Sequence, residues 1–441
     1  MTKALSGWGR YPKVKTQVEA PRSTADLQEL LAQGRPVIAR GNGRSYGDSA
    51  VGAPLTLEMR HFNRMISFDA ETGQLVAEAG VSLGDIIKGF LPRGWFLAVT
   101  PGSKFVTLGG AIAADVHGKN HHKDGSFATC VDWIDVLGPG GQVTRAEKGS
   151  ALFEWTLGGM GLTGIILRAA IRLRPVESGW IRQTTIPVPN LAAAMAAFDQ
   201  AQDATFSVAW IDCLARGKDL GRSLVMLGEH ADAAEVPKKA RKNPLETRER
   251  AKKTFPFDLP GFALNGLTVR AFNALYYAQG RRNAGVSYVD WDTYFYPLDA
   301  ILGWNRIYGR KGFVQFQCAL PLKTSEAGLR ALLQATGRAG AGSFLAVLKR
   351  LGAQDSRFSF PMEGYTLALD FPVGPRTLAL VDRLHAIALE HGGRFYLAKD
   401  ARMSAEMLRR SDHRVPDFET MRAETGAAPR LASAQSERLA L

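Results

Sequence analysis

Two glycine-rich segments of the chain have the composition of phosphate-binding turns. The first, Gly41-Asn42-Gly43-Arg44-Ser45-Tyr46-Gly47, follows a predicted strand, and the second, Gly159-Met160-Gly161-Leu162-Thr163-Gly164, is a literal G-x-G-x-x-G motif. A Rossmann dinucleotide site needs that motif between a strand and a helix, whereas the strand-like IILRAAIRLRP follows the second segment. Glycine also lets consecutive backbone N–H groups converge on an anion without such a helix. The two segments therefore indicate phosphate binding outside a Rossmann fold.

A third segment, PGSKFVTLGG at residues 101–110, supplies another turn of this type and is followed by AIAADVHGKNHH at 111–122. Each glycine segment alone is also typical of an ordinary tight turn. The occurrence of all three in one chain favours a shared anionic ligand over three unrelated turns.

The histidines after the third segment are candidates for a metal site, because His117 and His121 lie four residues apart. Gly118 weakens a helix between them, and only Asp115 and Asp124 could add a carboxylate ligand nearby. We therefore expect no metal ion. The three cysteines are widely spaced and odd in number, which excludes a disulfide framework and a cysteine-based zinc site and favours a reducing compartment.

The charge of the chain indicates an anionic partner. Lys and Arg number 55 against 42 Asp and Glu, a formal net charge of +13. Residues 238–253, KKARKNPLETRERAKK, hold eight Lys and Arg and two Glu, so nearly half of the excess lies in one short segment. That uneven distribution argues against a nucleic-acid footprint over a whole domain and favours a phosphorylated substrate or a lipid surface.

The length of 441 residues suggests two to three domains and needs no disulfide or metal for stability. The N-terminal MTKALSGWGRYPKV has no apolar signal-peptide region, and no uncharged run reaches the ~18–20 apolar residues that cross a bilayer. We therefore expect a cytoplasmic protein or one that associates peripherally with a membrane.

The pattern of elements differs between two parts of the chain. In the first 175 residues, β-like runs such as RPVIARG and IILRAAIRLRP alternate with helical segments such as ADLQELLAQ and SLGDIIKGFLPRG, which predicts α/β layers. Later strand-like pieces include SVAWIDC, SYVDWDTYFYPL, GFVQFQCALPL and YTLALDFPV. Their aromatic residues favour an antiparallel sheet that forms a wall of the substrate site. The chain as a whole is predicted to have an α+β fold.

Three segments in this order resemble those of FAD-binding oxidoreductases of the vanillyl-alcohol-oxidase type. They are ARGNGRSYGDS (39–49), PGSKFVTLGGAIAADVHGKNHH (101–122) and GGMGLTGII (158–166). Within that family the chain is most similar to oxidases of polyprenyl-phosphoryl ribose, over almost its whole length. HGKNHH (117–122) and YLAKDAR (396–402) are the segments most specific to that subfamily.

The resemblance implies how the chain divides into domains. A PCMH-type FAD-binding domain of two α/β subdomains would occupy residues 1–177. A substrate-binding domain, with an antiparallel sheet flanked by helices and with 238–253 as a mobile basic insertion, would occupy residues 178–393. The segment 394–441 would return to the FAD-binding domain.

By the same resemblance, the loop at 39–49 surrounds the pyrophosphate of FAD. The residues implied in cofactor binding are Arg40, Gly41, Asn42, Gly43, Arg44, Ser45, Tyr46, Gly47, Gly102, Thr107, Gly109, Gly110, His117, Gly118, Lys119, Asn120, Ile165 and Tyr396. Many relatives attach FAD covalently through a histidine in a G-H-S pattern, whereas this chain has Gly43-Arg44-Ser45 there. Arginine cannot form that bond, so we expect non-covalent FAD.

Oxidation of an alcohol by a flavin requires hydride transfer from carbon and removal of the hydroxyl proton. The resemblance implies that Lys399, in YLAKDAR, lies near the flavin and the substrate. A lysine in a dry pocket has a lowered pKa or stabilises a developing alkoxide, so Lys399 is the first catalytic candidate. His117 is the second, because it would assist proton removal or hold the substrate; a structural hydrogen bond under the flavin is the alternative.

Candidate substrate contacts come from several segments of the chain. Gln315 and Gln317 lie two apart on a predicted strand, so their side chains share a face and could bind ribose hydroxyls. Ordinary polarity of a sheet surface is the alternative explanation for this pair. Tyr46, Lys349 and Lys399 are further candidates, with Lys349 proposed for the substrate phosphate.

The reaction implied by the resemblance is oxidation of the 2′-hydroxyl of a polyprenyl-phosphoryl-β-D-ribose to a 2′-ketone. An NADH-dependent reductase partner would then reduce the ketone with inverted stereochemistry, giving the arabinose epimer used in cell-wall arabinan synthesis. The basic segment 238–253 would bind an anionic membrane surface.

The sequence leaves two alternative functions open. One is an aldonolactone- or alditol-type FAD oxidase with a soluble substrate, and the other is a basic nucleic-acid-binding protein without flavin.

The arginine at position 44 predicts how the flavin is held. We expect the purified protein to be yellow and to release its flavin into the supernatant when acid or heat precipitates the polypeptide. The absorbance spectra of supernatant and redissolved pellet measure this directly. Flavin that stays with the precipitated chain would show that another residue forms the covalent bond.

Overall fold

The N-terminal sheet presents the first glycine-rich loop at the end of one of its strands. This computed structural model describes residues 2–52, 54–247, 251–260 and 264–441. The first elements are β1 (Thr2–Leu5), β2 (Val14–Glu19), α1 (Thr24–Ala32), β3 (Val37–Arg40) and β4 (Leu55–Glu58). The strands pair in the order β1-β2-β4-β3, with β4 parallel to both of its neighbours. The loop at 41–47 therefore begins where β3 ends, as the sequence predicts.

A second sheet contains the strand predicted at residues 165–175. Its region comprises β5 (Met65–Asp69), β6 (Gln74–Glu78), α2 (Leu83–Phe90), β7 (Trp95–Leu97), α3 (Leu108–Ala113), α4 (His121–Asp124), β8 (Val131–Leu137), β9 (Val143–Glu147), α5 (Ala151–Thr156) and β10 (Ile165–Pro175). The order is β5-β6-β10-β8-β9, with β7 paired to the end of β10, and all pairs are antiparallel. The G-x-G-x-x-G segment therefore leads into a strand, which confirms that it is not a Rossmann fingerprint.

The third sheet is an eight-stranded antiparallel sheet flanked by helices. This part of the chain comprises β11 (Trp180–Val188), α6 (Leu191–Gln200), β12 (Phe206–Ile211), β13 (Ser223–His230), β14 (Lys253–Thr254), α7 (Gly266–Arg282), β15 (Gly285–Asp290), α8 (Trp291–Phe295), β16 (Ile301–Leu302), β17 (Phe313–Pro321), α9 (Leu322–Ala339), β18 (Val347–Leu351), β19 (Gly364–Pro372), α10 (Pro375–Glu390) and β20 (Arg394–Phe395). The order is β15-β11-β13-β12-β18-β19-β17-β20, while β14 and β16 form a separate parallel pair. One mixed sheet and two antiparallel sheets, together with the helices that connect their strands, confirm the α+β fold class. Among the described residues, none of the helices has both the length and the apolar composition to cross a membrane.

One predicted strand changes into a helix part-way along. SYVDWDTYFYPL was expected to be extended throughout, but β15 ends at Asp290 and α8 follows directly. The Asp290 carboxylate accepts a hydrogen bond from the Thr293 N–H at 2.8 Å and caps the helix. The helical turn buries Trp291, Tyr294 and Phe295 together, which an alternating strand could not do.

The C-terminal segment connects the third sheet to the N-terminal one. Its first two residues form β20 and pair with β17, so they belong to the third sheet rather than to a separate segment. The chain then forms α11 (Ala405–Ser411), α12 (Val415–Glu424) and α13 (Ala434–Leu439). The Ala434 N–H donates to the Val51 carbonyl at 2.8 Å, and the Arg438 guanidinium binds Asp48 at 2.8 Å and Asp400 at 2.9 Å. These contacts fix the segment that contains Lys399.

The basic segment 238–253 is described only in part, since residues 248–250 lie outside the described residues. Before that gap, the Gly179 N–H donates to the Pro244 carbonyl at 2.9 Å, and the Trp291 indole donates to the Thr247 hydroxyl at 2.6 Å. After it, Lys253 begins β14. The flank before the gap is thus tied to residues beside the third sheet and the flank after it to β16, and the mobility of the segment stays a prediction.

The contacts of Arg438 predict a large effect of its removal on stability. Arg438→Met would leave Asp48 and Asp400, each with a side chain only 3% exposed, without their shared cation. We expect the free energy of unfolding to fall by about 3 kcal/mol, as for other broken buried ion pairs. Arg402→Met is the matched control, because Arg402 and Asp382 are both more than 40% exposed. That control should cost no more than about 1 kcal/mol. Equal urea midpoints for the two variants would contradict the assignment.

Candidate active site

A cavity of about 560 Å³ lies between the glycine-rich loops and the face of the third sheet. Loops from the first two sheets form one part of its wall. Side chains of β17, β18 and β19 form a second part, and residues of β12 and α7 form a third. A cavity of this size is within the range of small-molecule and cofactor sites.

Most of the residues that the sequence predicts for cofactor binding line this cavity. They are Gly41, Asn42, Gly43, Arg44, Ser45, Tyr46, Gly102, Thr107, Gly109, Gly110, His117, Gly118, Lys119 and Tyr396. Gly161 and Gly164 of the G-x-G-x-x-G segment also line it. The fold therefore brings together the three glycine-rich segments that the sequence singled out.

Four predicted cofactor contacts lie outside the lining of the cavity. Arg40 and Asn120 donate hydrogen bonds to backbone carbonyls of neighbouring loops. Gly47 packs directly against the backbone of Asp400, where a Cβ would come within 2.0 Å of the carbonyl oxygen. Ile165 is buried in a core with α1, β3 and β4, and the residue after it lines the cavity instead. These four residues position the loops that surround the cavity.

The backbone of the first loop suits the pyrophosphate of FAD. Within the described part of the chain, the N–H groups of residues 42–45 donate no hydrogen bond, so they are available to an anion. Gly43 has a φ of +59°, the left-handed conformation that turns the loop and favours glycine. At Gly102 a Cβ would meet no atom within 4 Å, so the backbone there borders open space. The residues present therefore fit the cofactor.

Arg44 occupies the position at which a covalent attachment would need histidine. Its guanidinium carbon lies 4.2 Å from the ring centroid of Trp8 and 4.8 Å from that of Phe105. A planar cation between two aromatic rings is held by cation–π attraction. Arg44 thus forms part of the cavity wall, and the non-covalent state of FAD stays a prediction.

His117 is buried beside the cavity and has one engaged ring nitrogen. Its Nε2 lies 3.2 Å from the amide nitrogen of Gln317, which donates to it, so the ring proton is on Nδ1. Nδ1 has no hydrogen-bond partner among the described residues, although it is buried. Burial, together with the nearby charges of Lys349 and Lys399, holds the pKa of His117 well below its usual value. A neutral His117 is therefore a hydrogen-bond donor at Nδ1 toward a bound group.

Lys399 lies inside the cavity and interacts with a buried carboxyl group. Its Nζ is 3.5 Å from the ring centroid of Tyr46, whose N–H donates to the Ala398 carbonyl at 2.9 Å. Burial lowers the pKa of Lys399, and the charge of Lys349 adds to this, whereas the carboxylate of Asp370 opposes it. Burial raises the pKa of Asp370 in turn. Both groups therefore titrate close to neutral pH, as is typical of proton-transfer sites.

Asp370 is the functional residue that the sequence analysis did not identify. It stands opposite Gln315 in the pairing of β17 with β19, and the Gln315 amide donates a hydrogen bond to its carboxylate. Gln317, two residues along the same strand, donates to Thr366 at 3.2 Å as well as contacting His117. The predicted shared face of Gln315 and Gln317 is therefore present. The sequence did contain a signal for this residue, because Asp370 is the one charged residue in the strand-like YTLALDFPV. A buried carboxylate needs partners, so its presence there indicates a polar site.

Two further lysines line the cavity in different states. Lys349 lines it from β18, and its amine forms no hydrogen bond or ion pair with the described residues. Burial lowers the pKa of the Lys349 amine to about 8. Lys119 donates instead to the Tyr294 carbonyl and lies over the Tyr294 ring, and burial lowers its pKa to about 7. Lys349 is thus available to an anionic ligand, while Lys119 is already engaged.

The far part of the cavity is apolar, which the sequence indicated only as a concentration of aromatic residues. Trp210, Phe272, Tyr276 and Phe344 line it together with Val208. The rings of Trp210 and Tyr276 lie 4.8 Å apart, and those of Phe272 and Phe344 lie 5.0 Å apart. This wall joins β12 to α7, two elements far apart in sequence.

The other histidines of HGKNHH are occupied by protein contacts. His121 Nε2 lies 2.7 Å from the side-chain oxygen of Gln354, and its Nδ1 accepts a hydrogen bond from the Gly352 N–H at 3.1 Å. His122 Nε2 donates to the Ala204 carbonyl at 2.8 Å. These contacts anchor α4 against the third sheet.

Comparison with known proteins agrees with the chemistry of this cavity. A family model described as an FAD binding domain matches residues 16–147. The chain is 35% identical over 458 residues to the decaprenylphosphoryl-β-D-ribose oxidase of Mycolicibacterium smegmatis, covering 100% of this chain and 98% of that protein. The chain belongs to that family. It is an FAD-dependent oxidoreductase.

Other relatives share less of the chain. An uncharacterized protein of Streptomyces coelicolor is 32% identical over 364 residues, which cover 80% of this chain and 97% of that protein. L-gulonolactone oxidase of Bos taurus is 28% identical over 173 residues, 38% of this chain and 39% of that enzyme. The match over the full length is therefore to the oxidase family, and the match to the sugar-lactone enzyme is partial.

The open space at Gly102 predicts a specific effect on cofactor affinity. Gly102→Ala adds a methyl group that meets no protein atom, so the stability of the apoprotein should not change. If FAD fills that space, its affinity should fall by about 1–3 kcal/mol, the usual cost of one extra group in a filled site. Gly374→Ala is the matched control, since a Cβ there also meets nothing closer than 3.6 Å and Gly374 lies outside the cavity. Fluorescence titration of apoprotein with FAD measures both; equal affinities would place the cofactor elsewhere.

Proposed function

We propose that the protein oxidises the 2′-hydroxyl of a polyprenyl-phosphoryl-β-D-ribose to a 2′-ketone. The observation that carries this proposal is the composition of one continuous cavity, which has amines and amides in one part and aromatic rings in the next. A phosphorylated sugar on a prenyl chain has the same change of polarity along its length. The name of the full-length relative, a decaprenylphosphoryl-ribose oxidase, supports the same substrate class.

The polar part of the cavity supplies the group that removes the hydroxyl proton. FAD, when bound, would supply the hydride acceptor for the carbon that carries the hydroxyl, and the residues of the cavity handle the proton. Burial lowers the pKa of Lys399 to about 7, so a substantial fraction of its amine is neutral near neutral pH, and this neutral form accepts the hydroxyl proton. The Asp370 carboxylate then stabilises the ammonium that forms, without direct contact to the sugar. Gln315 and Gln317 hold the ribose hydroxyls against this pair.

His117 has a positioning role in this scheme. Its Nε2 already accepts a hydrogen bond from Gln317, so a proton taken there would break that bond. Its Nδ1–H is free to donate to the cofactor or the sugar. We therefore assign proton removal to Lys399 and orientation to His117.

Lys349 is the candidate anchor for the substrate phosphate. A buried ammonium without a partner is destabilised, and a bound phosphate would relieve that cost. Binding of the anion would also raise the pKa of Lys349 above its unliganded value of about 8. The prenyl chain would extend from the phosphate along Trp210, Tyr276 and Phe344.

The alternative of a soluble aldonolactone or alditol has one partial match in its favour, the lactone oxidase that covers 38% of this chain. Such a substrate has no apolar part, so the aromatic wall would contact no ligand.

Anaerobic bleaching of the flavin distinguishes the two candidate substrate classes. A prenyl-phosphoryl ribose should bleach it rapidly, and deuterium at C2′ should slow the bleaching. Bleaching by free alditols or aldonolactones at equal concentration, with none by the lipid-linked sugar, would overturn the proposal.

The 2′-ketone is an intermediate, so the proposed reaction needs a second enzyme. An NADH-dependent reductase that delivers hydride to the opposite face would give the arabinose epimer. We propose that the protein is the oxidase component of such an epimerase and that the epimerase supplies arabinan for the cell wall. A lipid-linked substrate also requires the protein to work at a membrane surface, with 238–253 as the basic contact.

The role given to Lys399 predicts a selective loss of activity. Lys399→Ala should keep its flavin but bleach at least about 10²-fold more slowly with prenyl-phosphoryl ribose, the usual contribution of a positioned proton-transfer group. Lys323→Ala is the control, because Lys323 is an exposed lysine on α9. Stopped-flow absorbance under anaerobic conditions provides the measurement. A near-normal rate in Lys399→Ala would remove this residue from the mechanism.

The basic segment predicts salt-sensitive binding to anionic vesicles. Each Lys or Arg near such a surface contributes about 1 kcal/mol, an attraction that salt screens. Changing the eight basic residues of 238–253 to Gln should abolish that binding and leave the flavin content unchanged. Cosedimentation with phosphatidylglycerol vesicles at low salt measures the difference. Equal cosedimentation of the two proteins would show that the segment is solvated surface without a role in membrane binding.

A further inference from the structure

Helix α7 presents an apolar face to solvent. Leu267 and Leu275 are 77% and 73% exposed, and Ala271, Ala274 and Ala278 are also exposed. Their spacing of three and four residues places all five on one side of the helix. Single exposed apolar residues are common, but a continuous stripe along several turns marks an interaction surface.

The opposite side of α7 is fixed to the third sheet. Asn273 is fully buried and donates to the Asp212 carboxylate at 2.7 Å, and the Tyr277 hydroxyl donates to the Val188 carbonyl at 3.1 Å. At Gly280 a Cβ would lie 2.2 Å from a methyl carbon of Leu224, so the helix packs closely on β13. The apolar stripe is therefore the outer side of an anchored helix, not a face that turns inward to a core.

The charges on α7 have a single sign. The helix contains Arg270, Arg281 and Arg282, all exposed, and it has no acidic residue between its first and last positions. An apolar stripe bordered by arginine without acidic side chains is the pattern of a helix that lies in the plane of an anionic membrane surface. A second copy of the chain docked on the same face would bring two such groups of arginines together, which like-charge repulsion opposes.

The same helix also forms the edge of the active-site cavity. Phe272 and Tyr276 line the apolar part of the cavity and are nevertheless 40% and 38% exposed. The cavity therefore reaches the surface of the protein beside the stripe. Phe272 and Tyr276 lie next to the stripe on the helix circumference, one step toward the sheet.

We propose that the outer face of α7 lies in the surface layer of an anionic bilayer and that the prenyl chain enters the cavity from the lipid past Phe272 and Tyr276. This inference rests on the proposed function, which requires a substrate with a prenyl chain. It adds an apolar contact to the electrostatic attraction of segment 238–253. It also explains why the aromatic wall is open on the side of this helix.

The test uses the full-length holoenzyme and vesicles of equal parts phosphatidylglycerol and phosphatidylcholine. Leu267→Ser with Leu275→Ser should weaken vesicle binding at least about tenfold, because it removes the apolar contact of an interfacial helix. Val143→Ser with Leu322→Ser is the matched control: these apolar residues are 47% and 42% exposed on β9 and α9. The control should bind within about twofold of the unchanged protein. The proposal would be overturned if both variants bound vesicles as well as the unchanged protein, or if binding fell equally in both.

Two further measurements keep the result interpretable. Sedimentation velocity without lipid must show the same monomeric or oligomeric state for both variants; dissociation of an oligomer only in the α7 variant would assign the face to a second copy and overturn the proposal. Flavin bleaching by a short-chain, water-soluble prenyl-phosphoryl ribose should be unchanged in the α7 variant, while bleaching by a long-chain substrate in vesicles should slow. No bleaching by either substrate in the unchanged protein would refute the proposed function itself, whatever the vesicle binding shows.

Discussion

Lys399 and Asp370 are withdrawn from water into one cavity, and the rest of the site depends on their mutual stabilisation there. Loss of hydration disfavours the charged form of each group, so the amine titrates at lower pH and the carboxyl at higher pH than in water. Their opposite charges limit both shifts, since the attraction between them is strong at low dielectric. A buried pair that titrates near neutral pH can exchange one proton with a substrate at little cost.

The fold supplies this pair from distant parts of the chain. Asp370 comes from β19, where the antiparallel register sets it opposite Gln315, and Lys399 comes from the segment after β20. The Tyr46 N–H, on the first glycine loop, donates to the carbonyl of the residue before Lys399. Arg438 forms an ion pair with Asp400, the residue that follows Lys399. The site is therefore complete only when both ends of the chain are docked, which links catalysis to the stability of the C-terminal segment.

The sequence predicted elements that depend on a local residue pattern. It missed features that depend on contacts between distant parts of the chain. The strand at 165–175 and the glycine loops were predictable, because periodicity and turn chemistry act over a few residues. The helix after Asp290 was missed because a single cap overrode a run of strand-forming residues. An aromatic wall that includes the strand of Trp210 was predicted, whereas Asp370 and the part of the wall that Tyr276 adds from α7 were missed, because each acquires its role only through a partner more than fifty residues away.

In this mechanism the neutral form of Lys399 is the base, and burial and the charge of Asp370 together set its pKa. The most direct test is the pH dependence of the rate of anaerobic flavin reduction by prenyl-phosphoryl ribose, in the unchanged protein and in Asp370→Asn. The rate should fall as pH decreases through the pKa of Lys399, because the ammonium form cannot accept a proton. The Asp370 carboxylate raises that pKa, so its removal should move the acidic limb to lower pH. A rate without an acidic limb, or a limb at the same pH in both proteins, would contradict the account.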